Sequence, residues 1–394
     1  SMREPPIERV WHGHTEVVRR LVKKGADIGE TDKHNASALI YAAEGGQIDT
    51  LDVLVELGAD VDWAMSDGST PLHWAAFGGY AAACKQLLQL KCKVTCKTHA
   101  EALGCTALHM AAMMGHVDVV DVLIRHGCPI NSKDKRGARP LHWAAAKGHY
   151  RTVELLADCG ARPDNQSHNG TTALHWAAAR GFTDICSMLV EKGCDMDHEA
   201  EDGASPMFWA AKGGHIRTMQ RLLVLGADGS RTTHSGCTLL HFTVKSGQVE
   251  AVTEILDSAF CHIDAVDGVG STALHWAAYY GNSKLVRLLV DRGADLHAAA
   301  CDASSALHWA AAQGKTDTAT VLVDLGANVL AETYDNATPL RWAAKGGHAE
   351  TLARLVDLGK ILNELAEEDV NKVKLIKAKE VKAKVDTGKA KEQS

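Results

Sequence analysis

Residues 69–76 read Ser69-Thr70-Pro71-Leu72-His73-Trp74-Ala75-Ala76. Thr70 can cap a helix, and Pro71 suits its first position, where no backbone N–H is needed. Gly78-Gly79 then ends that short helix. The core of the string, Leu-His-Trp-Ala-Ala, recurs around His73, His142, His175, His275 and His308, with close variants at His109 and His241. Isoleucine, phenylalanine and arginine take the histidine slot at Ile40, Phe208 and Arg341. From slot to slot the steps are 33, 36, 33, 33, 33, 33, 34, 33 and 33 residues. Another 33 back from Ile40 is Ile7, where a truncated first copy keeps Gly13-His14 and Gly25-Ala26-Asp27. Self-similarity at such a period marks a repeat architecture, with about eleven copies between Glu4 and Gly359.

Each copy holds a second helix, clearest where Val119, Val120, Leu123 and Ile124 follow three-to-four-residue spacing. Gly127 supplies a left-handed stop, and a polar stretch such as Asn131 to Gly137 turns toward the next helix. The paired alanines let neighbouring helices approach closely. Neither helix can bury its apolar face alone, so stacking stabilises every copy. The expected fold is an all-α repeat solenoid of helix-turn-helix units joined by β-hairpin-like turns. Two joints depart from the period. Between Lys91 and Gly104 there are three extra residues, and between Ser258 and Gly270 one, each without the helix-ending glycine. Local bends or projecting loops are expected there.

Units of this length, with Thr-Pro-Leu-His, Gly-His and Gly-Ala-Asp landmarks, resemble the ankyrin repeat over roughly nine-tenths of the chain. Tetratricopeptide units have a similar period but lack the Thr-Pro-Leu-His opening. The resemblance implies a protein-binding array that uses its concave side, formed by the turn tips and the first helices. It also implies that the slot histidine hydrogen-bonds the nearby threonine and stiffens the turn. At about 8–10 Å per helix layer, eleven units would extend about 100 Å.

Mapped onto the first-helix ends, this face carries Phe77, Met113, Met114, Lys147, Arg180, Lys212, Tyr279 and Tyr280 as candidate partner-binding residues, followed by Gln313 and Lys345. Turn tips add Asp67, Lys135-Arg136, His168-Asn169, Glu201-Asp202, Asp302 and Tyr334-Asp335. Aromatics, methionine and arginine anchor protein interfaces, so the mixture suits a polypeptide of unspecified identity. The bland alternative is a varied, solvated surface. Trp74, Trp143, Trp176, Trp209, Trp276, Trp309 and Trp342 share one slot, read as inter-repeat packing in preference to a peptide-stacking strip.

Catalytic and cofactor chemistry finds no footing. Seven slot histidines stand about 10 Å apart, too far to share an ion that needs nitrogens about 2 Å away. Cys92, Cys96, His99 and Cys105 fall in the enlarged joint, but their irregular spacing favours free thiols over a zinc clip. No nucleophile elbow, phosphate loop or His-Glu-x-x-His signature occurs. Neither a catalytic residue, a metal, a cofactor nor a small-molecule substrate is expected. Leu123 through Asn131 resembles the spacing hydroxylated in ankyrin turns by an asparaginyl hydroxylase, although Pro129 stands where an acidic residue is usual.

Hydrophobic residues make up 46% of the 394 and charged residues 23%, as in folded soluble proteins. The net charge of -7 disfavours a nucleic-acid partner, and no run of about 18 apolar residues suggests a membrane span. Eleven scattered cysteines read as buried free thiols, pointing to the cytoplasm, with the nucleus also open. A monomer is expected. Ser1 ahead of Met2 reads as a cloning remnant, so a regulatory or targeting portion of a larger enzyme or membrane protein is the alternative to a stand-alone adaptor. Residues 360–394 hold nine lysines against seven acids, leaving -9 on the repeats. This lysine-rich tail is expected to be a helical cap through about Ala378 and disordered beyond.

Overall fold

The computed structural model describes residues 15–99, 103–258 and 260–360. The beginning of the first copy at Ile7 and the tail beyond Lys360 lie outside the described residues. The chain divides into two compact units, Ser1–His234 and Ser235–Ser394.

In the first unit, Thr15–Lys23 precedes six helix pairs: Ala38–Glu44 with Ile48–Glu56, Pro71–Gly78 with Ala81–Gln89, Ala107–Met114 with Val117–Arg125, Pro140–Lys147 with Tyr150–Asp158, Ala173–Ala178 with Thr183–Glu191, and Pro206–Gly213 with Ile216–Leu225. The second unit pairs Leu239–Ser246 with Val249–Asp257, Ala273–Tyr280 with Ser283–Asp291, and Ala306–Ala312 with Thr316–Asp324. Pro339–Lys345 and a helical stretch over 349–360 follow. Within each unit successive first helices pack side by side, as do successive second helices. This is the all-α repeat solenoid that the period implies. The alanine pairs explain the close approach: Ala75, Ala76, Ala144, Ala145, Ala177 and Ala178 are all fully buried.

No strand is assigned among the described residues, where an isolated antiparallel bridge joins Thr31 and Ser37 and Thr232 and Thr238 are bridge residues as well. The joining turns nevertheless close like hairpins: Met65 N–H donates to Ser69 O at 2.9 Å, and Gly68 N–H to Met65 O at 2.9 Å. Each tip also bonds the tip before it, as in His168 N–H to Arg136 O (2.8 Å) and Tyr334 N–H to Asp302 O (3.1 Å). The first long joint keeps this ladder. His99 N–H reaches Asp67 O at 2.6 Å, and Leu103 O accepts from Lys135 N–H at 2.9 Å. The ladder thus enters at His99 and leaves at Leu103, with residues 100–102 outside the described set. Lys91 adopts the left-handed backbone (φ 65°) that Gly127 supplies elsewhere (φ 82°), at a cost of about 1–2 kcal/mol for a side chain with a Cβ.

The slot histidines complete the joint chemistry. In the sixth copy, Thr172 N–H donates to His175 Nδ1 at 3.2 Å, and the Thr172 hydroxyl lies 3.0 Å from the same nitrogen. Nε2 then stands 3.1 Å from Ala204 O, in the next copy. A neutral ring protonated on Nε2 satisfies both ends, so one imidazole caps its own helix and ties down the next turn. The same pair of bonds occurs at His73, His109, His241, His275 and His308. The expected threonine bond is therefore present, and it is half of the device. In the Pro206–Gly213 copy the slot is Phe208, which has no ring nitrogen, and Ser205 Oγ is buried without a partner.

Candidate protein-binding groove

Two positions, four and five residues after each slot, form the exposed end of the first helix. From Glu44 to Gly346 they hold Phe77, Met113 and Met114, Lys147, Arg180, Lys212, Lys245, Tyr279 and Tyr280, Gln313 and Lys345, with alanine, glycine or serine at the rest. Glu44 is the sole acid among them, and burial pushes its carboxyl above the ordinary value. The bias toward cations and apolar side chains follows the slot, so the repeat itself directs these groups to one face.

Three of these ends converge in the first compact unit. Lys147, Arg180 and Lys212 line one groove of about 600 Å³ with Trp143, Trp176 and Trp209. Arg136 and Asn169 complete it from the turn tips. The indoles give it a flat apolar floor, and four cations border it. None of Arg136, Lys147, Arg180 and Lys212 forms a side-chain ion pair or hydrogen bond among the described residues. Lys212 Nζ lies over the Trp209 ring, 5.9 Å from its centroid. Asp134, the acid beneath this region, is occupied inward. Its Oδ2 accepts from Trp143 Nε1 at 3.0 Å, and its Oδ1 from the N–H groups of Arg136 and Ala138, each at 2.8 Å.

The tryptophan slot mixes packing with exposure. Each indole is half-buried. Trp176 meets the edge of His142 at 5.6 Å between centroids, Trp209 that of His175 at 5.9 Å, and Trp309 that of His275 at 5.7 Å. The slot is therefore inter-repeat packing with one wet edge. Most indole N–H groups find an acceptor within their own copy: Trp176 uses Thr171 Oγ1 (2.8 Å), and Trp309 uses Ser304 Oγ (3.0 Å). Trp209 has Ala204 and Ala200 at the two acceptor positions, and its N–H has no acceptor among the described residues.

The remaining candidates lie elsewhere. Phe77 packs edge-on against Trp74 at 6.2 Å. Met113 is half-buried and Met114 exposed. In the second unit Tyr279 and Tyr280 meet at 5.2 Å, flanked by Trp309 and Trp276. Lys245, which sequence reasoning did not single out, stands 5.9 Å over Tyr280. Arg136 belongs to the turn tips already placed on this face, whereas the three groove indoles stood outside the candidate set, because their shared period pointed to packing.

Among the described residues no three histidine, cysteine or acidic side chains are placed to hold an ion. Burial pushes the Cys92 and Cys105 thiols up to about 12, so they remain protonated. Asn131 is held by its neighbours, its Oδ1 accepting from Asn165 Nδ2 at 3.1 Å and its Nδ2 donating to Gly160 O at 3.3 Å. No described helix is long and apolar enough to cross a membrane.

Comparison with known proteins returns the same architecture. The family profile described as "Ankyrin repeats (3 copies)" matches residues 8–98, 90–167, 141–233, 207–300 and 295–366. The Drosophila melanogaster transient receptor potential cation channel subfamily A member 1 is 32% identical over 125 residues, 30% of this chain and 10% of the channel. The Danio rerio putative palmitoyltransferase ZDHHC13 is 29% identical over 135 residues, 34% of this chain and 20% of that protein. Human ankyrin repeat domain-containing protein 63 is 33% identical over 107 residues, 27% of this chain and 28% of that protein. The matched segments thus span between a tenth and about a quarter of these relatives. With the profile running from residue 8 to residue 366 and the helix pairs recurring beneath it, the chain belongs to the ankyrin-repeat family.

Proposed function

We propose that this array is a non-enzymatic scaffold or adaptor that holds a polypeptide partner on its concave face, the side of the turn tips and first-helix ends. The observation that carries this reading is the groove in which Lys147, Arg180 and Lys212 meet Trp143, Trp176 and Trp209. Unpaired cations beside half-exposed indoles are the side chains that dominate binding energy at protein interfaces. Ankyrin repeats are protein-interaction modules, and the slot histidines are consumed in holding the repeats together. A place in the cytoplasm or nucleus fits the free, mostly buried thiols, and the chain is read as a monomer.

The test is affinity capture from native lysate with the wild-type array beside a Met114→Glu, Arg180→Glu, Tyr280→Glu variant of equal thermal stability. A protein recovered by the wild type and lost by the variant supports the reading. Equal recovery by both removes it from this face. A second reading, a regulatory or targeting portion of a larger enzyme or membrane protein, draws on the palmitoyltransferase and channel relatives. The length of the native open reading frame decides between the two.

A further inference from the structure

Resting on that reading, we infer that the groove between Arg136 and Gly213 takes an extended acidic polypeptide segment whose carboxylates recur every third residue. The argument begins with spacing. The helices Pro140–Lys147, Ala173–Ala178 and Pro206–Gly213 pack side by side, so their exposed ends repeat at about 10 Å. Each contributes one cation, Lys147, Arg180 and Lys212. A polyproline-II segment rises about 3.1 Å per residue with three residues per turn, so every third side chain returns to the same face about 9 Å further on. Carboxylates at that interval meet one cation per repeat, and about seven residues cross the groove.

Charge and hydrogen bonding agree with this register. The four bordering cations lack carboxylate partners among the described residues, and the buried acid Asp134 spends both oxygens on Trp143, Arg136 and Ala138. Lys212 stands one position earlier than Lys147 and Arg180 relative to its slot, and its stem carries the charge over the Trp209 ring. The Trp209 N–H beside it lacks the serine, threonine or aspartate acceptor that Trp143 and Trp176 have, so it is free for a ligand oxygen. Arginine and indole N–H together favour a carboxylate or a backbone carbonyl over a cationic or purely apolar ligand. On the turn side, Glu201 follows Asn169 in the ladder (Glu201 N–H to Asn169 O, 3.1 Å), and with Asp202 it ends the basic stretch. An acidic ligand therefore stops at that turn.

The experiment is fluorescence anisotropy on the full chain with a labelled peptide carrying three glutamates at every third position, separated by prolines and alanines. Controls are the same composition with its glutamates consecutive, the lysine counterpart, and a labelled oligothymidylate of similar charge. The expected result is saturable binding of the first peptide, weakened by salt, and at least about tenfold tighter than that of the lysine peptide. Arg180→Glu should weaken it by about tenfold or more, and Trp209→Phe, which keeps the ring but removes the N–H, by about threefold. Both variants should melt with the wild type. Absence of binding, equal binding of the consecutive-glutamate peptide, indifference to Arg180→Glu, or tighter binding of the oligothymidylate overturns the inference. If the peptide fails while the captured protein is still lost from the triple variant, the protein-binding face stands and only the acidic ligand falls.

Discussion

The two helices of each repeat treat their cations differently. On the second helices several of the long basic side chains reach carboxylates: Arg125 pairs with Asp121 at 2.9 Å, Arg19 with Glu56 at 3.0 Å and Arg292 with Asp257 at 2.7 Å, and Lys192 pairs with Asp158, while Arg221 and Arg354 meet the hydroxyls of Ser187 and Thr320. At the ends of the first helices, Lys147, Arg180 and Lys212 find none among the described residues. Charge on the second-helix face is thereby partly paired within the protein, and under the proposed function the cations of the first-helix face meet a ligand instead. Beneath those exposed ends runs the histidine network, so the face open to a ligand is also the one whose foundations are most tightly bonded.

Acid should break the contrast most completely. Burial holds His109, His142 and His175 at about 4, against an ordinary value of 6.5. Protonating Nδ1 would set a proton against the cap's own N–H. Between those pH values the unfolded chain binds more protons than the folded one, so stability is full above pH 6.5 and falls as pH drops toward 4. With on the order of 3 kcal/mol at stake per ring, these three reach the whole stability of an ordinary domain. Urea midpoints at pH 7.5, 6, 5 and 4 should decline steeply, and a flat series contradicts the neutral network.

A single lesion in that network comes next. His175→Ala strands Thr172 N–H and Ala204 O and opens a cavity, and should cost about 2–4 kcal/mol in urea unfolding. Arg139→Thr should act in the opposite direction. Arg139 occupies the cap position that threonine holds in sister repeats, and its Nε is buried without a partner. Restoring the hydroxyl should raise stability by about 1 kcal/mol, a gain legible as a shifted urea midpoint. Smaller again, Arg292→Ala on the second-helix face should cost at most about 1 kcal/mol, since exposed pairs contribute little. Arg180→Ala on the first-helix face should cost still less, because no bond within the protein is lost. A larger loss for Arg180→Ala than for Arg292→Ala, measured by thermal melting at one pH, would erase the distinction between the faces.

Much of the architecture was legible because period is a property of sequence. The slot steps of 33 residues placed each first helix, and the alanine pairs announced how closely the helices pack. The groove was only half legible. Lys147, Arg180 and Lys212 could be assigned to a face, but Phe77, Met114 and the Tyr279-Tyr280 pair were assigned to it by the same rule and do not line that groove. Periodicity says which slot a side chain occupies; whether a neighbour neutralises it depends on distances that only folding sets. The missing acceptor of Trp209 shows the limit well. Ala200 and Ala204 look unremarkable in a chain rich in alanine, and they matter only because serine, threonine or aspartate fills those places in other repeats. Likewise, the threonine bond of the slot histidine was foreseen from the family resemblance, while its second bond, to a carbonyl 29 residues on, needed the stacked neighbours.

That second bond bears on how such a chain can change in length over generations. It spans 29 residues in copies of ordinary size, 30 across one long joint and 32 across the other, and its acceptor is always the carbonyl just before the next cap. A duplication or deletion of one full period, cut at any phase, hands the imidazole an equivalent carbonyl and orphans nothing. Extra residues are absorbed if they fall in the turn, as at the two joints. An excision that removes a fraction of a period and cuts into a helix pair leaves a buried ring with half its bonds. Descent by whole copies is therefore written into the reach of one side chain.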